Sequence, residues 1–149
     1  MTATAHAIIG TVIAAKIGSP QLAIPIALAS HVAMDMIPHW DTAVNGNGGG
    51  KSEKRVFSDT VIDVVLGFIL SYALIVFVFP KTNLSYAFLM IITAQLPDWF
   101  MAPYYFFKIS VFKWAYDFGK ITNREIDKPW GIITQTVTVT AVIVLGKIL

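Results

Sequence analysis

The sequence contains no cysteine, which excludes disulfides, thiolate metal ligands and cysteine nucleophiles together. Charge is scarce as well. Only 13% of the 149 residues are Asp, Glu, Lys or Arg, against roughly a quarter in soluble domains. The basic residues are scattered and the net charge is +2, so no polybasic block points to nucleic acid. No basic segment precedes the first apolar run and no cleavage signal follows it, so that run is expected to remain as a membrane segment rather than a signal peptide.

Apolar residues are abundant instead, at 56% of the chain. A water-soluble globule this small could not hide so much apolar surface, because its ratio of surface to volume is too high. Lipid is therefore the expected solvent. The expectation is one all-α domain, a polytopic membrane bundle of about five transmembrane helices. Apolar stretches cover 3–17, ended by Gly18-Ser19-Pro20, and 21–37, ended by Pro38. Further stretches cover 57–79, closed by Pro80, 84–99, closing near Pro103, and 129–149. Proline removes a backbone donor and disfavours helix in the residue before it. The chain then divides into a hairpin (1–41), a flexible loop (42–56), a second hairpin (57–103), an aromatic interfacial segment (104–128) and a final helix (129–149). The loop holds Asn45-Gly46-Asn47-Gly48-Gly49-Gly50. It lacks the Lys-Ser/Thr ending of a phosphate-binding loop and reads as a solvated linker.

A tandem repeat of the two hairpins is also expected. His6 is followed by Gly10 and, further on, by Pro38-His39-Trp40; Asp63 is followed by Gly67 and then Pro97-Asp98-Trp99. Two hairpins in tandem share an orientation, giving a parallel repeat.

Five spans would place all nine acids and all three histidines at the end that holds the N-terminus, leaving only Lys16, Lys81 and Lys147 at the other. Basic residues favour the cytoplasm, so the polar end is expected to be cytoplasmic. Glu53, Asp117 and Glu125 read as loop residues in water. His6, His31, Asp35, Asp63 and Asp98 lie within apolar stretches, where an ionised group costs roughly 2.5–3.5 kcal/mol on insertion scales and needs a partner. His31 and Asp35 are four apart and share a helix face, as do Asp59 and Asp63. His39 and Asp41 continue the edge begun by His31 and Asp35. Imidazole and carboxylate donors without thiolates suit a divalent ion, zinc first, manganese or iron otherwise. His6, His31, Asp35, His39, Asp41 and Asp98 are thus the candidate ligands of one or two metals. The plainer alternative is that these groups only tie helices together. Trp40, Trp99, Trp114 and Trp130 read as an interfacial belt.

The string His31-x-x-x-Asp35-x-x-Pro38-His39-Trp40-Asp41, with the early His6 and the later Leu96-Pro97-Asp98, resembles the membrane-bound metal-dependent hydrolases. These are small inner-membrane proteins distantly related to zinc-dependent phospholipases C. The likeness is specific over 30–41 and loose over the first four stretches. It implies metal ligands at His6, His31, Asp35, His39 and Asp98. The family's further His-Arg and Thr-His-Ser segment has no counterpart in Thr122-Asn123-Arg124-Glu125-Ile126-Asp127, where Arg124 alone matches.

The resulting expectation is a metal-dependent hydrolase of a phosphate ester, with membrane lipid as partner, at the cytoplasmic face of a bacterial or archaeal inner membrane. Asp63 or Asp59 would act as general base. Arg124, or Lys51, Lys54 and Arg55, would hold phosphate oxygens. A metal-ion or proton transporter and a non-catalytic structural protein are the alternatives. Thr134, Thr136, Thr138 and Thr140 give the final helix a polar stripe for packing against a second copy.

Overall fold

The computed structural model describes residues 1–43 and 51–149. The glycine run at 45–50 lies outside them. Six α-helices follow in order: α1 (Ala3–Lys16), α2 (Pro20–Asp35), α3 (Glu53–Phe77), α4 (Leu84–Phe107), α5 (Lys113–Thr122) and α6 (Trp130–Ile148), with a single 3₁₀ turn at Ser110–Phe112 before α5. No strand occurs among the described residues; an isolated parallel bridge joins His39 and Glu125.

The shortest apolar run becomes the centre of the bundle. α1 packs against α2, α3, α4 and α6, and it is buried at every position from Ala5 to Ala14. A helix that is apolar on all sides has no outward face to offer water. The helices around it each bury one stripe. In α2 the buried residues are Ala23, Ala27, His31 and Asp35, one every fourth position. Two alanines let α2 approach closely, and the same stripe then delivers an imidazole and a carboxylate. In α3, Gly67, Ser71 and Ile75 continue the stripe that starts at Asp63.

Glycine makes the closest approaches. A Cβ on Gly10 would lie 2.6 Å from the Met90 carbonyl oxygen of α4, and one on Gly67 would lie 3.1 Å from both the Ala7 Cβ and the Thr4 Cα of α1. The glycines of the proposed repeat are thus both helix contacts. The two halves then diverge, because α2 ends before Pro38 while α4 runs through Pro97 and Pro103 to Phe107. Proline therefore fails to close α4 near residue 99. Lys108, in the left-handed region at φ 55°, ends it instead.

α3 and α6 are long and apolar enough to cross a membrane, and only 17% of each apolar window is buried. α1 is apolar but shorter. The interfacial segment resolves into α5 packed on α4. The threonines of α6 do not form one stripe. Thr134 and Thr138 are partly buried and Thr136 and Thr140 are exposed, since residues two apart on a helix do not share a face.

Candidate metal centre

One end of the bundle collects the ionisable groups. His6 comes from the first turns of α1, His31 and Asp35 from the end of α2, and Asp98 from α4 just after Pro97. His6, His31 and Asp98 each offer a ligand atom, and these atoms lie within 4.8 Å of one another. His6 and His31 are almost fully buried. Their rings stack with centroids 3.8 Å apart and planes inclined by 18°. Asp35 spans the pair: Oδ1 is 3.1 Å from His6 Nε2 and Oδ2 is 3.2 Å from His31 Nε2. His31 Nε2 also faces Asp98 Oδ1 at 3.4 Å. The Met1 ammonium reaches Asp35 Oδ1 as well and lies 3.8 Å from Asp41 Oδ2.

The local chain explains how His31 is aimed. Pro97 has no N–H for the Thr93 carbonyl, so the helical ladder of α4 is broken there. One residue along, the Ala94 carbonyl takes His31 Nδ1 at 2.7 Å. A carbonyl can only accept, so Nδ1 carries the proton. In the neutral ring Nε2 is then a lone pair facing two carboxylates. Three acceptors around one point call for a positive charge between them, whether a proton or a metal ion. A histidine that ligates through one nitrogen and donates from the other to a carbonyl is the usual arrangement at metal sites.

His39 is not brought into this group. It is fully buried, with Nδ1 2.7 Å from the Ile37 carbonyl and Nε2 without a partner. Burial first, then the Met1 ammonium, lowers its pKa. Asp41 accepts from the Thr42 hydroxyl at 3.1 Å. Burial pushes its carboxyl up to about 7; the Met1 ammonium opposes that shift and Asp98 and Glu125 add to it.

Asp63 accepts from the Ala3 and Thr4 amides at 2.5 and 3.4 Å, so it meets the N-terminal donors of α1. Its carboxylate also lines a cavity of about 160 Å³ with Asp41, Asp98, Asn123 and Glu125. Asp59 pairs with Lys51 at 2.9 Å, and Lys51 also donates to the Thr42 carbonyl. Trp40 lies under two cations, Lys51 at 5.8 Å and Lys128 at 4.5 Å. Lys54, Arg55 and Arg124 are exposed. The Arg124 backbone does structural work: its N–H donates to the Asp35 carbonyl, and its carbonyl accepts from His39 N. With Ile126 N donating to the His39 carbonyl at 2.7 Å, this bridge places Asn123 and Glu125 beside the site. Neither residue carries a spacing signal in the sequence.

A second cavity, of about 330 Å³, opens between α2, α4 and α5. His31 and Asp35 lie in its wall, and Leu28, Val32, Phe100 and Phe118 are among its apolar lining.

No protein-family model matches the chain, and no curated protein or solved structure matches it either.

Proposed function

We propose that this chain is a membrane-embedded, metal-dependent hydrolase of a lipid-linked phosphate ester, of the kind its α2 string resembles. The observation that carries the proposal is the convergence of His6, His31 and Asp98 from three helices to within 4.8 Å. The donor set fits a divalent ion. Two imidazoles and two carboxylates supply nitrogen and oxygen ligands, and the His31 lone pair is held in place by the Ala94 carbonyl. A bound metal there would lower the pKa of a water and polarise a phosphoryl oxygen. The protein's own groups do the rest. Asp35 orients both imidazoles, and Asp63, a residue of the neighbouring cavity wall, would act as general base. The exposed cations Lys54, Arg55 and Arg124 are available to phosphate oxygens.

Two further features support a lipid setting. The apolar helices α3 and α6 turn most of their surface outward, which suits hydrocarbon and would be costly in water. The 330 Å³ cavity is apolar and ends at His31 and Asp35. That is the form of a site for a hydrocarbon chain with its polar head at the metal. Transport is less well served. Below the histidines the core is mainly Ile9, Ile13, Ile75, Ala87 and Met90, and among the described residues its buried polar side chains are few, Thr11, Ser71, Thr93 and Gln95 among them.

The test is elemental analysis with turnover. Purified wild type is expected to hold a divalent ion and to release phosphate or a phosphorylated head group from a lipid ester in mixed micelles. His31→Ala should lose both. A wild type that binds no metal, or an active His31→Ala, sinks the proposal. A metal-bound protein with no turnover would favour a structural role. A second expectation concerns the cavity. Leu28→Trp should fill it and abolish turnover of long-chain esters while sparing a short-chain ester. Equal losses on both would count against a chain site.

A further inference from the structure

Resting on the metal-dependent reading of the His6, His31 and Asp98 cluster, we propose that Met101 is a positioning residue that divides two cavities and decides whether one amphiphile can occupy both. Among the described residues Met101 alone lines both the apolar cavity of about 330 Å³ and the polar one of about 160 Å³. Each cavity has its own character. Leu28, Val32, Phe100 and Phe118 line the first; Asp41, Asp63, Asn123 and Glu125 line the second.

The cluster stands across the same divide. His31 and Asp35 belong to the wall of the apolar cavity and Asp98 to the wall of the polar one. Yet His31 Nε2 and Asp98 Oδ1 are only 3.4 Å apart. Met101 is three residues beyond Asp98 on α4 and so shares its face. An ester held at the cluster therefore has apolar space on one side and polar space on the other. The substrate this suits is an amphiphile, with its hydrocarbon chain in the first cavity and its head group in the second.

What gives Met101 its place is a side chain that α5 lacks. Gly119 is buried, and a Cβ there would overlap the Met101 Sδ and lie 2.5 Å from its Cε. The thioether is thus seated directly on the bare backbone of α5. Methionine has three rotatable bonds and adapts to the space around it. A Cβ at position 119 would accordingly turn the thioether off its seat rather than force the helices apart. The space then open to it is the pair of cavities it already lines. Seated on Gly119, Met101 leaves room beside the cluster; displaced, it stands where chain and head group must join.

The experiment loads the full chain in detergent with Co²⁺ and titrates its visible absorption with dodecylphosphonate and with ethylphosphonate. Both carry the same head group, on a P–C bond that ester hydrolysis does not cleave, and only the first carries a long chain. The readout is the ratio of the two affinities. Gly119→Ala is expected to lower the preference for dodecylphosphonate about tenfold, the scale of a one-methylene misfit in an apolar pocket, with cobalt content unchanged. Met101→Ala removes the thioether, so adding Gly119→Ala to it should alter the ratio less than about twofold, the mark of two coupled positions. An unchanged ratio in Gly119→Ala overturns the inference and leaves the metal centre standing. A loss that persists in the double variant overturns it too, because α5 rather than the thioether would then have moved. A wild type that takes up no cobalt removes the metal centre and the role of Met101 together.

Discussion

Asp35→Ala is expected to destabilise the protein by about 3–5 kcal/mol in the presence of a chelator, the usual cost of removing one partner from a buried charged group. Asp35 is 4% exposed, and it is the acceptor common to His6, His31 and the Met1 ammonium. Without it, two imidazoles stacked at 3.8 Å lose the carboxylate that holds them together. Asp35→Asn keeps the volume and one acceptor and should lose less. Metal sharpens the comparison. A ligand that binds only the folded state adds about 2.7 kcal/mol at a hundredfold excess over Kd. Wild type should gain that increment on adding zinc, and Asp35→Ala should gain little. Denaturant titration in detergent, with and without metal, reads both effects. An Asp35→Ala midpoint equal to that of wild type would mean that the carboxylate is solvated and organises nothing.

The part of this centre that could be read from sequence is the part set by helical spacing. His31 and Asp35 are four apart, so they share a face wherever α2 lies. Asp98 was visible through the Pro-Asp-Trp that matches Pro38-His39-Trp40. The central position of α1 was legible in principle, since an all-round apolar helix must be enclosed. The extent of α4 was not. A proline normally marks a helix end, but Pro97 and Pro103 sit inside α4 because packing against α1, α2 and α5 outweighs the missing hydrogen bonds. The contributions of Asn123 and Glu125 were illegible for another reason. They are delivered by a backbone bridge between segments some 85 residues apart, from His39 to Arg124 and Ile126, and no local pattern encodes such a pairing. Likewise, Asp63 reads from spacing as the partner of Asp59 on one helix face, and only the packing of α1 shows the free amides that it accepts from.

Gly10→Val is the second large effect expected, and it links packing to chemistry. Gly10 lies four residues after His6, on the same face of α1, and Ala94 lies four before Asp98 on α4. A Cβ at position 10 would meet the Met90 carbonyl oxygen at 2.6 Å and the Ala94 Cβ at 3.0 Å. The first of these is backbone, so α1 and α4 must move apart. Overpacking of this kind costs about 1–3 kcal/mol and sometimes more. The separation would also draw His6 away from Asp98 and His31, whose own anchor is the Ala94 carbonyl. Metal affinity should therefore fall in Gly10→Val although no ligand has been touched. Gly18→Ala is the matched control, since nothing lies within 4 Å of a Cβ there, and its stability should stay within about 0.5 kcal/mol of wild type. Should Gly10→Val bind metal as tightly as wild type, the spacing of α1 and α4 would not be what holds the ligands together, and the centre would have to be sought among donors that do not span those two helices.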